Sequence, residues 1–93
     1  MISLKRIEVH IMKVYVLHDC YEETDFYAEA NVIEVSSDEK KLYELMKLAY
    51  MECKENHPDA SEESYIDSFS ALVTEECEGY YYKHQWMIDE FEV

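Results

Sequence analysis

The 93-residue chain is predicted to form an α+β fold, a small antiparallel sheet (ββαββ) covered by one main helix. Three observations predict this class. Two segments rich in β-branched and aromatic residues precede position 36, and a middle segment repeats its apolar residues at helical spacing. The C-terminal third contains two further strand-like segments around the only glycine. The single predicted domain spans residues 12–93.

The first predicted strand is KVYVLHDC, residues 13–20. Its residues favour β structure on both faces, which is typical of a central strand. In residues 1–11 the apolar alternation differs in parity from that of Val14 and Val16. We interpret residues 1–11 as an N-terminal extension or a translated leader, with an edge strand ending in a bulge as the alternative.

The second predicted strand is FYAEANVIEV, residues 26–35, which follows an acidic turn, YEETD, at residues 21–25. Ala28, Ala30 and Val32 lie on one face of this strand, whereas Ile33 and Val35 fall on the other. The change of parity predicts a β-bulge, or a strand that leaves the sheet.

The predicted helix lies between Ser36 and the sequence Asn56-His57-Pro58. Ser36 and Glu39 have the spacing of a capping box, and proline is expected to stop the helix. The apolar residues at helical spacing form one stripe, which is expected to close the core against the sheet. Its members are Leu42, Leu45, Met46, Ala49, Tyr50 and Cys53.

Residues 61–78 fit two alternatives, because their apolar residues satisfy helical spacing and strand alternation equally well. The strand is favoured, since two serines and the pair Val73-Thr74 lower helix propensity. Glu78-Gly79 would then turn the chain into a last strand from Tyr80 onward. Pairing across that turn is expected to place Phe69 near Ile88, Ala71 near Trp86 and Val73 near His84.

The formal net charge of −14 at pH 7 is unevenly distributed. Residues 14–37 carry six acids and no lysine or arginine, and residues 58–79 carry seven acids and again no base. Such a surface argues against direct binding of nucleic acid phosphates. It is suited to a positively charged partner, or to solubility alone.

The composition also argues against an enzyme. The single glycine excludes a glycine-rich phosphate cradle, and no acidic loop has the pattern of a calcium site. A Cys–His nucleophile lacks a helix N-terminus or nearby cations to activate the thiol. We therefore expect no catalytic residue, no cofactor and no enzymatic activity.

Zinc is the remaining metal alternative. One candidate set combines His18 and Cys20 with Cys77 and His84, and a helical pair combines Cys53 with His57. Neither has the paired short spacing of a zinc module, and free cysteines commonly serve as small core residues. We expect no metal site. Three cysteines without a CxxC motif are typical of reduced thiols, so a cytoplasmic location is expected. No apolar run reaches the ~20 residues of a membrane helix, so no membrane association is expected.

The two ends of the predicted domain carry short motifs. MKVYVLHDCYEETDF precedes the predicted helix, and SFSALVTEECEGYYYKHQWMIDEFEV follows it. Together they resemble small acidic, mostly uncharacterised proteins of phages and mobile elements in Firmicutes, which share an MKVYVV-like start, a lone helix and an E-G-Y-Y-type last strand. The resemblance implies the fold and a phage setting, in which some small acidic proteins inhibit host defence. It implies no catalytic residue.

Aromatic and acidic residues together indicate a binding surface. Nine tyrosines and one tryptophan against three phenylalanines match the enrichment seen at protein interfaces. Carboxylates on alternate strand residues stand about 6.6–6.8 Å apart, a spacing comparable to that of successive phosphates. We expect a small phage-type, anti-CRISPR-like inhibitor that mimics nucleic acid and occupies the basic groove of a host nucleic-acid-handling protein, such as a CRISPR effector.

The expected contact residues are Glu22, Glu23, Asp25, Asp59, Glu62, Glu63, Asp67, Glu75, Glu76 and Glu78, with Tyr80, Tyr81 and Tyr82 as aromatic anchors. The alternative from another class is a structural module that forms a homodimer through a Tyr-rich sheet face or an exposed strand edge. In that alternative the acidity serves solubility.

Overall fold

The computed structural model describes residues 12–24 and 27–92. Within them the elements are β1 Lys13–Glu23, β2 Tyr27–Ser36, α1 Glu39–Asn56, β3 Tyr65–Ile66, β4 Ser70–Cys77 and β5 Tyr80–Glu92. The strands form one antiparallel sheet in the order β2-β1-β5-β4-β3. The described residues thus confirm a small antiparallel sheet with one helix. The interpretation of residues 1–11 and the predicted contact at Asp25 lie outside them.

The predicted order ββαββ lacks one strand. The two-residue strand β3 pairs with β4 through Tyr65 opposite Leu72 and Ile66 opposite Ala71. The turn between them is held by Asp67, whose Oδ1 accepts hydrogen bonds from the backbone N–H of Phe69 at 2.9 Å and of Ser70 at 2.8 Å. The observed order is ββαβββ.

The predicted bulge is present in β2. Leu17 of β1 lies opposite Glu34, and the next residue, His18, lies opposite Val32, so that Ile33 is the extra residue. The bulge restores the alternation, since Val32 and Val35 then pair with His18 and Val16 on the same face of the sheet. Strand β1 also pairs with β5, which confirms its prediction as a strand with two neighbours.

The helix α1 begins after Asp38, which corrects the predicted capping box. The Oδ1 of Asp38 accepts from the backbone N–H of Lys40 at 3.1 Å and of Lys41 at 3.3 Å. Ser36 lies two residues before the N-cap, and its Oγ accepts from the N–H of Asp38 instead. The helix ends at Asn56 with His57 as its C-cap.

The hairpin of β4 and β5 has the predicted register. Ala71 lies opposite Trp86 and Val73 opposite His84, and the N–H of Ile88 donates to the carbonyl of Phe69 at 2.8 Å. Gly79 in the turn has φ +78°, a backbone conformation that glycine adopts without steric cost. The strand alternative for this segment is therefore confirmed from Ser70 to Cys77.

The core lies between α1 and one face of the sheet. This core face carries Leu17 and Tyr21 of β1 and the even-numbered residues of β5, and the opposite face is called the outer face. The predicted helical stripe is confirmed, because Leu42, Met46 and Cys53 are buried and Leu45, Ala49 and Tyr50 pack against the core. The buried cluster is Leu17, Leu42, Met46, Cys53, Ala71, Val73, Tyr82, Trp86 and Ile88.

Among the described residues, no helix has both the length and the apolar character required to cross a membrane.

Candidate functional site

Antiparallel pairing brings one part of each base-free acidic segment to the same end of the sheet. Strand β1 ends where β5 begins, and the N–H of Thr24 donates to the carbonyl of Tyr81 at 2.8 Å. The β1–β2 and β4–β5 connections therefore lie side by side. We call this region the acidic end and define it by Glu22, Glu23, Glu75, Glu76, Glu78, Tyr80 and Tyr81.

The carboxylates of the acidic end fall into two groups. Glu23 accepts hydrogen bonds from the hydroxyls of Tyr21 at 2.7 Å and Tyr80 at 3.2 Å. Glu75 contacts Nδ1 of His57 at 3.2 Å. Side chains of β1, of β5 and of the C-cap of α1 thus hold the carboxylates of Glu23 and Glu75 in place. The other members, Glu22, Glu76 and Glu78, are exposed and project charge into solvent.

The three consecutive tyrosines do not lie together. Strand alternation turns Tyr80 and Tyr82 toward the core face and Tyr81 toward the outer face. Tyr82 is only 5% exposed, so the structure corrects its prediction as a surface anchor. Burial and the neighbouring Glu23 raise the pKa of Tyr80, which remains a neutral hydrogen-bond donor.

The remaining predicted contact residues lie elsewhere. Asp59, Glu62 and Glu63 are exposed on the connection between α1 and β3, which runs beside β4 because the N–H of Ser61 donates to the carbonyl of Thr74 at 2.7 Å. Asp67 lies in the β3–β4 turn, at the opposite end of β4 from Glu76 and Glu78. Asp67 is therefore not part of the acidic end.

A chain of polar side chains crosses the core face, and sequence reasoning missed it. Nε2 of His84 lies 2.6 Å from Oδ2 of Asp19, and Nδ1 of the same ring lies 3.2 Å from the hydroxyl of Tyr82. That hydroxyl lies 3.2 Å from Sγ of Cys53 on α1. A signal was available, because Asp19 and His84 occupy inward positions between apolar neighbours of their strands.

Aromatic stacking fixes the two histidine rings of this region. The His84 ring stacks on Trp86 with centroids 3.9 Å apart, and the His57 ring stacks on Tyr82 with centroids 4.0 Å apart. The second oxygen of Asp19, Oδ1, is buried and has no hydrogen-bond partner among the described residues. A shallow cleft between α1 and the sheet opens onto Asp19, Cys53, His57 and His84.

In comparisons with known proteins, no family model, no curated protein and no solved structure matches the chain. The chemistry of the acidic end and of the polar chain is therefore inferred from their geometry.

The environment of the polar chain disfavours Cys53 as a nucleophile. Burial raises the pKa of the Cys53 thiol, and burial together with the bond to Cys53 raises the pKa of Tyr82. A cysteine nucleophile requires the thiolate, which this environment disfavours. The hydrogen bonds of the chain satisfy its polar atoms inside the core, with the exception of Oδ1 of Asp19.

The fold separates the four-residue candidate zinc set, whereas the helical pair stays together beside one cleft. His18 and Cys20 lie on the outer face, whereas His84 lies on the core face of the same sheet. Cys53 and His57 each have another partner, Tyr82 and Glu75. In the part of the chain that the structure describes, no three His, Cys, Asp or Glu side chains are grouped for a metal ion.

Proposed function

We propose that the protein is an acidic inhibitor that binds the basic groove of a nucleic-acid-handling protein through its acidic end. The phage-type, anti-CRISPR-like role predicted from the sequence is the specific form of this proposal, with a CRISPR effector as one candidate partner. The observation that carries it is that one part of each base-free acidic segment, Glu22–Glu23 and 75–78, converges at one end of the sheet, across the contact of Thr24 with Tyr81.

The arrangement of the exposed carboxylates supports this function. Glu22 and Glu76 project from the outer face on strands that flank β5 and are offset by two residues, so about 12 Å of sheet separates them. Lys83 lies between them and opposite Glu22. Tyr81 is 37% exposed and offers an aromatic contact beside these charges. A groove lined with arginine and lysine would meet several carboxylates at once.

The experiment compares two triple charge reversals that change net charge equally. Glu22→Lys, Glu76→Lys and Glu78→Lys alter the acidic end. The matched control, Glu44→Lys, Glu52→Lys and Glu55→Lys, alters exposed acids of α1. Each protein is immobilised and exposed to bacterial lysate, and the captured protein is purified for measurements of its affinity and of its nucleic acid binding.

The expected result is specific to the acidic end. The wild type and the α1 variant capture a nucleic-acid-binding protein that competing DNA or RNA releases, and the acidic-end variant does not. Affinity is expected to fall steeply as salt concentration rises, because exposed charges are screened. Affinity that is independent of salt, or equal capture by both variants, contradicts the proposal.

A further inference from the structure

The outer face of the sheet carries an exposed apolar surface that α1 does not contact. Its exposed members include Val32 at 66%, Val35 and Phe91 at 53%, and Met87 at 37%. The register places Val14 opposite Phe91, Val16 opposite Val35, and His18 between Val32 and Met87. These residues therefore form consecutive rows across β2, β1 and β5.

This face is depleted of charge in a protein of net charge −14. Among the outward-facing residues of the described strands, only Glu22, Glu76 and Asp89 are acidic. Asp89 lies 2.6 Å from Nε2 of His18, and Glu22 lies opposite Lys83. Depletion of charge around a continuous apolar centre is typical of the buried part of a protein interface.

We propose that the outer face binds a second copy of the same chain. Two sheets of this kind pack face to face in an aligned sandwich, and a two-fold axis would bring each apolar row onto its counterpart. The low charge of the face avoids close like-charge contacts, which lowers the repulsion between two chains of net charge −14. The contact extends from the row of Val14 to the row of Cys20 and leaves Glu22, Glu76 and Tyr81 beyond its edge, so this inference does not depend on the proposed function.

The size of the face agrees with a weak dimer. Four strands at about 4.8 Å each span about 19 Å, and the seven residues from Val14 to Cys20 extend about 24 Å. One copy would then bury roughly 450 Å², and the pair roughly 900 Å². This area lies below the roughly 1,200–2,000 Å² of standard interfaces, so the dimer is expected to dissociate on dilution.

The three cysteines provide a direct test in the unmodified protein. Cys20 is exposed in the last of the four rows of the outer face, Cys77 is exposed at the end of β4, and Cys53 is buried. Short pulses of N-ethylmaleimide at low and high protein concentration, read by mass spectrometry, give a rate for each thiol. Cys20 is expected to react several-fold more slowly at high concentration, while the rate of Cys77 stays unchanged.

Substitutions test the same surface independently. Val32→Glu and Met87→Glu place a charge in the apolar rows, and Leu48→Glu is the matched control on the exposed side of α1, where the wild-type residue is 64% exposed. Analytical ultracentrifugation is expected to show dimers for the wild type and Leu48→Glu, and monomers for the outer-face variants. Circular dichroism verifies that each variant is folded. If one outer-face variant does not fold, the other still provides the test.

Three outcomes overturn the proposal. One is a wild type that stays monomeric at high concentration with Cys20 reactive throughout. Another is a monomer whose Cys20 is protected at every concentration, since another part of the same chain then occupies the face. The third is a dimer that both outer-face variants retain.

Discussion

Nε2 of His84 lies 2.6 Å from Oδ2 of Asp19, although 65 positions separate the two residues in sequence. Both side chains are largely buried, with 19% and 13% of their surface exposed. His18 and Asp89 approach each other at the same distance of 2.6 Å on the outer face, where 33% and 47% are exposed. The two pairs differ in burial, while their geometry is alike.

Removal of the buried carboxylate is expected to destabilise the protein more than removal of the exposed one. Asp19→Ala leaves Nε2 of His84 without its partner in the core, at a cost of about 1–3 kcal/mol of unfolding free energy. Asp89→Ala is the matched control and is expected to cost about 0–1 kcal/mol, because solvent replaces the lost partner. Urea unfolding of dilute protein measures both. Equal losses in the two variants would show that burial of the pair is unimportant.

Cys53 is expected to be the unreactive thiol of the native protein. It is 9% exposed, and burial raises the pKa of its thiol, so little thiolate is present and reagents cannot reach it. In dilute protein, Ellman's reagent should modify Cys20 and Cys77 rapidly and Cys53 only after denaturant is added. Mass spectrometry of the modified peptides identifies each site. Rapid modification of all three thiols under native conditions contradicts the buried position of Cys53.

The local patterns of the sequence were sufficient to predict most of the sheet. Gly79 indicated the position of the β4–β5 turn. Counting residues outward from that turn gave the pairing of Val73 with His84. The change of parity at Ile33 located the bulge, because side chains alternate strictly along a strand. The helix position was also predicted, but its cap was not. Asp38 competes with Ser36 for that role, and only the backbone geometry decides between two polar residues that lie two positions apart.

Long-range relationships were not predictable in the same way. The acidic end forms because β1 pairs with β5, which are far apart in sequence, and no local pattern shows that pairing. Tyr82 was predicted at the surface because it belongs to a run of three tyrosines, yet alternation of the strand places it in the core. Strand β3 was missed because two residues are too few to give a period.

Asp67 is expected to stabilise the β3–β4 turn in a pH-dependent manner. Backbone N–H groups of Phe69 and Ser70 hold the pKa of Asp67 below its ordinary value. Asp67→Ala removes these bonds and should lower the unfolding free energy by about 1 kcal/mol at neutral pH. The pKa of Asp67 is lower in the folded chain than in the unfolded chain. The difference in unfolding free energy between the wild type and Asp67→Ala is therefore complete above the unfolded pKa of about 4, and it shrinks as pH falls below that value.

Urea unfolding of the wild type and Asp67→Ala between pH 3 and pH 7 measures the effect (a range chosen around the unfolded pKa of about 3.9). Asp59→Ala is the control, since it removes another exposed aspartate from the neighbouring connection. A difference between the wild type and Asp67→Ala that grows as pH falls would contradict the role of the ionised carboxylate in the turn.

Tyr82 is expected to limit stability at alkaline pH. Burial and the hydrogen bond with Cys53 raise the pKa of its hydroxyl above that of the unfolded chain. The folded state therefore retains a proton that the unfolded state releases. The stability contributed by the neutral hydroxyl is complete below the unfolded pKa of about 10 and is lost as pH rises above it.

Tyr82→Phe isolates this contribution, because it keeps the ring stacked on His57 and removes only the hydroxyl. The variant is expected to be less stable than the wild type near pH 8, by about 1–3 kcal/mol, since Cys53 and His84 lose a buried partner. Above about pH 10 the two proteins should converge, because only the wild type can ionise at this position. Urea unfolding across this range measures the convergence, with Tyr65→Phe as a control at an exposed ring. A constant gap between the wild type and Tyr82→Phe at every pH would place Tyr82 in a solvated environment, contrary to its 5% exposure in the core.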